Sequence, residues 1–231
     1  MNPQKTSHCP KAGIRRAMIM ILSGVCICTI GSVVLADNFP PPPAIEAAGS
    51  RYLAITPGAW ESDVALQVIG FICVPWGVPQ PCPGVECPIV DCVGLYVQAD
   101  GVLGETPYYQ SVEEWGTVYA RGAEIVPDAL YTARAVDAVY GPGSATGLAK
   151  TWKWGNCETG GDCNVNILDI SCVIAVFQGN PTETCTFHGA DVTSTTDPCG
   201  PPDGVVNISD ISAVAGAFRG EPFPCDDPCE E

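Results

Sequence analysis

Basic side chains are scarce in this sequence: 10 Lys+Arg stand against 26 Asp+Glu, and histidine occurs twice. Four of those basic residues, Lys5, Lys11, Arg15 and Arg16, fall within the first 36 positions, so the remainder keeps six and a net charge near −20. Binders of nucleic acid or of anionic membrane surfaces need basic stripes that displace counterions, and none is present. His188 is the single histidine after residue 36, and beside an acidic loop it reads as a surface residue rather than a base. GxSxG, HExxH and phosphate-cradling glycine loops are also missing. Glu113 and Glu114 are sequence neighbours that would point apart on a strand, whereas glycoside hydrolysis needs two carboxyls facing across a cleft. Beyond residue 36 no run is apolar enough to span a bilayer. Catalysis is left with little to stand on, and cations are left open as partners.

What is present is divided sharply along the chain. The four basic residues precede the uncharged run "AMIMILSGVCICTIGSVVLA", which ends in Val34-Leu35-Ala36. Such a segment reads as a secretory signal spanning 1–36 and cleaved after Ala36, or as a membrane anchor if it is not cleaved. Residues 37–47, "DNFPPPPAIEA", read as an extended proline-rich spacer. Of 14 cysteines, eleven lie beyond residue 36, and in an exported chain they read as a disulfide framework with at least one thiol free or paired with another molecule. The expected bridges are Cys172–Cys185 or Cys185–Cys199 in the second half, with two of Cys73, Cys82, Cys87 and Cys92 paired in the first. "CPGVECPIVDC" spaces three cysteines evenly, but the CxxC pairs of a zinc site are missing.

Residues 48–150 read as all-β. "SRYLAIT", "DVALQVIGFICV", "VGLYVQA", "WGTVYARG" and "LYTARAVDAVY" are short runs rich in β-branched and aromatic residues, parted by Gly, Pro and Asp turns. That pattern predicts an Ig- or fibronectin-like β-sandwich. In "IVPDALYTARA", Tyr131 follows a proline-led turn and begins an alternating strand, which looks like the tyrosine corner of fibronectin-type sandwiches. Trp76, Trp115, Trp152 and Trp154, where exposed, could stack on sugar rings; core packing is the plainer use for most.

From Thr151 the composition turns more acidic, with Lys153 and Arg219 as the only basic residues of 151–231. Here one phrase occurs twice. "DCNVNILDISCVIAVFQG" (162–179) and "DGVVNISDISAVAGAFRG" (203–220) coincide at Asp, Val, Asn, Ile, Asp, Ile, Ser, Val, Phe and Gly, always 41 residues apart. Ile170, Val173, Ile174 and Phe177, and then Ile211, Val214, Ala215 and Phe218, follow the i, i+3, i+4, i+7 spacing of one helix face. Asp169 and Asp210 stand at the helix starts, and Gly179 and Gly220 stop the helices. Each unit is a loop followed by one helix.

The oxygens of those loops suit calcium, which takes six to eight hard ligands from a twelve-position loop. In the second copy, Asp191 falls at position 1, Thr193 at 3, Asp203 at 5, Gly204 at 6, the Val205 carbonyl at 7, Asn207 at 9 and Asp210 at 12. An eight-residue insertion, which holds Asp197 as a substitute ligand for Thr193, separates Thr193 from Asp203. Loop-closure entropy grows only logarithmically, so the insertion is tolerable. The first copy gives Asn156 at 1, Glu158 at 3, Asp162 at 5, the Asn164 carbonyl at 7, Asn166 at 9 and Asp169 at 12. Cys163 replaces the position-6 glycine and Asn156 removes a charge, which predicts a weaker site, replaced in part by a Cys157–Cys163 bridge.

These two units resemble the type I dockerin repeat, a loop-and-helix half of an EF-hand without its incoming helix. The resemblance covers about 80 of 231 residues and is strongest from Asp203 to Gly220. It implies a small all-α calcium module over 151–231, two antiparallel helices, one Ca²⁺ per loop, and docking onto a cohesin-like domain of a scaffold. The partner-reading pair of the family matches Ile167-Leu168 and Ile208-Ser209, where cohesin-binding members often carry Ser-Thr. The expected whole is a secreted or cell-surface adaptor without catalytic residues: a display or binding sandwich followed by a docking module. A carbohydrate-binding, polysaccharide-processing component and a structural envelope protein remain as alternatives.

Overall fold

Alternation of apolar residues builds the first part into strands. In the computed structural model of the chain, residues 39–70, 94–159 and 164–225 are described. The strands are β1 (Ala44–Ala47), β2 (Leu53–Thr56), β3 (Val64–Gly70), β4 (Leu95–Val97), β5 (Leu103–Gly104), β6 (Val118–Ala120), β7 (Leu130–Asp137), β8 (Gly141–Pro142) and β9 (Ala149–Lys150), with a one-turn helix α1 (Val112–Trp115) before β6. They form an antiparallel β1-β2-β6 sheet and a second antiparallel sheet in the order β5-β4-β3-β7-β8, with β9 also on β7. The first part is therefore mainly β and sandwich-like. The leader, Trp76, Cys73, Cys82, Cys87, Cys92, Asp162, Cys163 and Cys229 lie outside the described residues.

The register explains the core. In β3, Val64, Leu66 and Val68 point inward, and across from Leu66 and Val68 stand Ala135 and Ala133 of β7. Small residues opposite large ones leave space that Leu53 and Ile55 of β2 help fill from the other sheet. On the other face, Arg134 donates from Nε to Gln67 Oε1 at 2.6 Å, a cross-strand polar pair in register. Tyr131 is buried, and its hydroxyl donates to the Glu124 carbonyl and accepts from the Val126 amide, both at 2.8 Å.

Two sequence expectations are corrected here. The last four residues of the proline-rich spacer are β1, paired with β2 with Ile45 opposite Ile55, because "AIEA" leaves the prolines behind and can donate to a ladder. Glu113 and Glu114 lie on α1 rather than a strand, since Ser111 and Glu114 make a capping box that starts a turn. Trp115 is buried and donates from Nε1 to the Val64 carbonyl at 2.8 Å, so it offers no face to a sugar. Trp154 packs edge-on against Phe223.

The second part holds α2 (Ile167–Phe177), the short α3 (Phe187–Ala190) and α4 (Ile208–Phe218). Asn166 and Asn207 cap α2 and α4, and Asp169 and Asp210 reach back to the cap amides, which completes two identical boxes. Both helices end alike. Gly179 donates to Val176 O and Asn180 to Ala175 O; Gly220 donates to Ala217 O and Glu221 to Gly216 O, the paired bonds of a Schellman stop. Val173, Val176, Val192, Val214, Ala190 and two cysteines make the core between them.

That core contains thiols. Cys157 and Cys172 are buried and free, as is the partly exposed Cys185, and burial pushes the Cys157 and Cys172 thiols up, out of the reactive range. The bridge among the described residues is Cys199–Cys225, which replaces Cys172–Cys185 and Cys185–Cys199, and the free Cys157 overturns the expected Cys157–Cys163 bridge as well. Its cause is Arg51. This fully buried guanidinium donates to the carbonyls of Gly122 and Ile125 on the strand side and of Pro198 and Cys199 on the insertion. Phe223 packs on the same guanidinium, 5.3 Å from Arg51 Cζ to the ring centroid. The insertion is thus drawn toward the C-terminal segment, and Cys199 meets Cys225 instead of Cys185. Strand and helix parts belong to one compact unit, Asp37–Glu231.

Candidate metal centre

The second loop is organised by its carboxylates. Asp210 is fully buried at the start of α4; Oδ1 accepts from the amides of Val192 (2.9 Å) and Thr193 (3.0 Å), and Oδ2 from Asn207 (2.8 Å). One side chain therefore ties the beginning of the loop to its end across the insertion. Asp191 is also fully buried, and its Oδ2 accepts from the Gly204 amide at 2.9 Å. Gly204 turns there with φ +78°, a left-handed conformation that suits glycine. Asp203 accepts from the amide and hydroxyl of Thr195 on Oδ2 and from the Val205 amide on Oδ1. Thr193 is buried in the loop, and Asn207 donates to the Val205 carbonyl and caps α4 through Oδ1. The structure thus gathers Asp191, Thr193, Asp203, Val205, Asn207 and Asp210 into one hydrogen-bonded loop. Asp197 of the insertion holds its own turn, with Oδ1 on the Cys199 amide.

The first loop repeats this closure in a plainer form. Asp169 Oδ1 accepts from the Cys157 amide and Oδ2 from the Asn166 amide, both at 2.8 Å. Asn166 Oδ1 accepts from Leu168 at 2.7 Å. Asn156 is buried, Glu158 is half-buried and Asn164 is exposed. Asp162, the remaining expected ligand, falls outside the described residues.

One atom in the second loop has no partner. Asp191 Oδ1 is buried without a hydrogen bond, an unsatisfied state that costs on the order of 1–3 kcal/mol for a neutral group and more for a charged one. Burial pushes the Asp191 carboxyl up to about 6; the Tyr52 hydroxyl and the Gly204 amide oppose the rise, and Asp210 and Asp203 add to it. Asp210 is likewise raised by burial, against the three amides it accepts from. Among the described residues no three His, Cys, Asp or Glu side chains already converge as a cluster, because Asp203 and Asp210 are turned onto amides and Thr195. The donors are nevertheless all hard oxygens at calcium spacing, and an orphaned carboxylate oxygen among them fits a cation. Bound calcium would supply the missing partner to Asp191, held with Asp203, Asp210 and Asn207.

A pH dependence follows for the calcium-free protein. Asp191 binds its proton more tightly folded, at about 6, than at the ordinary value of 3.8. Its contribution favours folding below pH 3.8 and is lost as pH rises through 6, by roughly 3 kcal/mol from ~1.4 kcal/mol per unit. Urea denaturation in calcium-depleted buffer is expected to show wild type losing stability relative to Asp191→Asn between pH 4 and pH 7. A constant difference between the two would refute the assignment.

Sequence reasoning missed the neighbours of this loop. Tyr52 is buried and donates to Asp191 Oδ2 at 2.6 Å, and Arg121 Nη1 reaches the Tyr52 hydroxyl at 3.5 Å. A Cβ on Gly204 would lie 2.7 Å from Arg121 Nη1, so the guanidinium packs directly on the loop. His188, read as a surface residue, stacks on Tyr119 with centroids 3.6 Å apart and meets Tyr52 edge-on. Burial and Arg121 lower its pKa. The available signal was scarcity: with six basic residues after position 36, each Arg is a candidate partner for the acidic loops.

Among the described residues no helix is long and apolar enough to cross a membrane. No model of a known protein family matches the chain, and a search of curated proteins finds no match either.

Proposed function

We propose that the protein is an exported calcium-binding adaptor, with a fibronectin-like sandwich carrying a dockerin-like calcium module. The observation that carries the reading is Asp191: a fully buried carboxylate whose Oδ1 has no partner, inside a loop of hard oxygen donors. Three further features support it. Asp191 at position 1 accepts from the Gly204 amide at position 6 despite the insertion, the closure expected of a calcium loop. Two loops share the same carboxylate-to-amide closure before helices of equal length. The Tyr131 hydroxyl bonds back to Glu124 and Val126, as a tyrosine corner does.

Ile167 and Leu168 at the start of α2 and Ile208 at the start of α4 are 60%, 57% and 66% exposed. Apolar side chains presented at both helix starts, where the family reads its partner, support docking to a cohesin-like or other cell-surface protein. The second loop is the tighter site, since Asp191 carries the charge that Asn156 lacks.

Calorimetric titration of the protein with calcium, alongside circular dichroism with and without chelator, tests the reading. Binding tighter than about 10⁻³ M is expected, with part of the helix signal and some thermal stability lost on chelation because metal binding and folding are coupled. Absence of binding heat together with an unchanged helix signal would reject it.

A further inference from the structure

We infer that Tyr52, on the strand side of the molecule, is a positioning residue for the cation of the second loop; the inference rests on the calcium reading above. Asp191 has two carboxylate oxygens with different surroundings. Oδ2 is held by two donors, the Tyr52 hydroxyl at 2.6 Å and the Gly204 amide at 2.9 Å, whereas Oδ1 is buried and unpartnered. Two donors on one oxygen fix the rotation of the carboxyl plane and so fix where Oδ1 points. The Gly204 amide belongs to the loop and moves with it. Tyr52 does not: it precedes β2, is 1% exposed, and has Arg51 beside it held to the Gly122 and Ile125 carbonyls on the strand side.

The phenol is itself constrained from several sides. His188 meets its ring edge-on with centroids 5.1 Å apart, and Arg121 donates to its oxygen at 3.5 Å. Its own proton is therefore committed to Asp191, and burial beside that carboxylate raises its pKa. A side chain that orients a ligand through the oxygen the metal does not use acts as an outer-shell partner, and loss of such partners typically costs 10–100-fold in metal affinity.

Tyr52→Phe keeps the ring and its packing and removes only the hydroxyl. Calcium titration of the full-length protein is expected to show about tenfold weaker binding at the tighter site, and the calcium-induced rise in melting temperature is expected to shrink. A purely structural tyrosine would lower the calcium-free melting temperature and leave affinity unchanged, which overturns the inference. In an Asp191→Asn background the same substitution is expected to leave residual calcium affinity unaltered, because the oriented carboxylate is already gone. An equal loss in that background also overturns it. If wild type binds no calcium, the calcium reading itself falls; wild-type binding with an unaffected Tyr52→Phe removes the inference alone.

Discussion

Arg51→Met is expected to lower the unfolding free energy by about 3 kcal/mol. Methionine retains most of the stem and its packing against Phe223, but the Gly122, Ile125, Pro198 and Cys199 carbonyls lose their donor together. The four bonds run 3.3–3.4 Å, longer than the usual N–H···O range, so each is weaker than an ideal charged bond. Relief of a buried charge offsets part of the loss, because burial already holds the Arg51 pKa below its ordinary value. In a unit of this size ~3 kcal/mol corresponds to a melting temperature roughly 6–12 °C lower. A thermal midpoint within two or so degrees of wild type would mean that the carbonyls find water and that Arg51 is not the joint between strand and helix parts.

Asp210→Ala is expected to destabilise the protein by ~3 kcal/mol even without calcium, and to abolish binding at the second loop. Three amides, of Val192, Thr193 and Asn207, depend on that carboxylate. Asp169→Ala removes the acceptor of two, Cys157 and Asn166, and should cost less. Urea denaturation of both variants in chelator separates this loop-closing role from metal binding. Equal losses in the two variants would show that the number of closed amides does not set the cost. Each carboxylate is at once a helix cap and a loop closure, so its loss costs stability apart from any cation it would hold.

Much of the architecture could be read from spacing alone. The strand runs from 50 to 140 yielded β2, β3, β4, β6 and β7, and the i, i+3, i+4, i+7 pattern yielded α2 and α4 with their glycine stops. These are signals that repeat, so several residues vote for one element. What escaped was carried by single residues. The capping box at Ser111 and Glu114 needs only four positions and overrode the strand pattern of its neighbours. Arg51 and Tyr52 sit in an ordinary-looking strand lead, and their partners lie 71–148 and 139 residues away, respectively. The cysteine pairing failed for the same reason. Short spacing favoured Cys185, whereas the fold of the insertion around Arg51 decided for Cys225.

The Cys199–Cys225 bridge closes a covalent ring around Asp203, Asn207, Asp210 and all of α4. A protease that cuts any single peptide bond inside that ring releases nothing: the severed ends stay joined through the sulfurs. A second cut within the ring, or reduction of the bridge, is required before a fragment can leave. Residues 200–207, a loop and so a natural target for nicking, can thus be cut once without dismantling the molecule, whereas residues 194–198 of the insertion precede Cys199 and gain nothing from the ring.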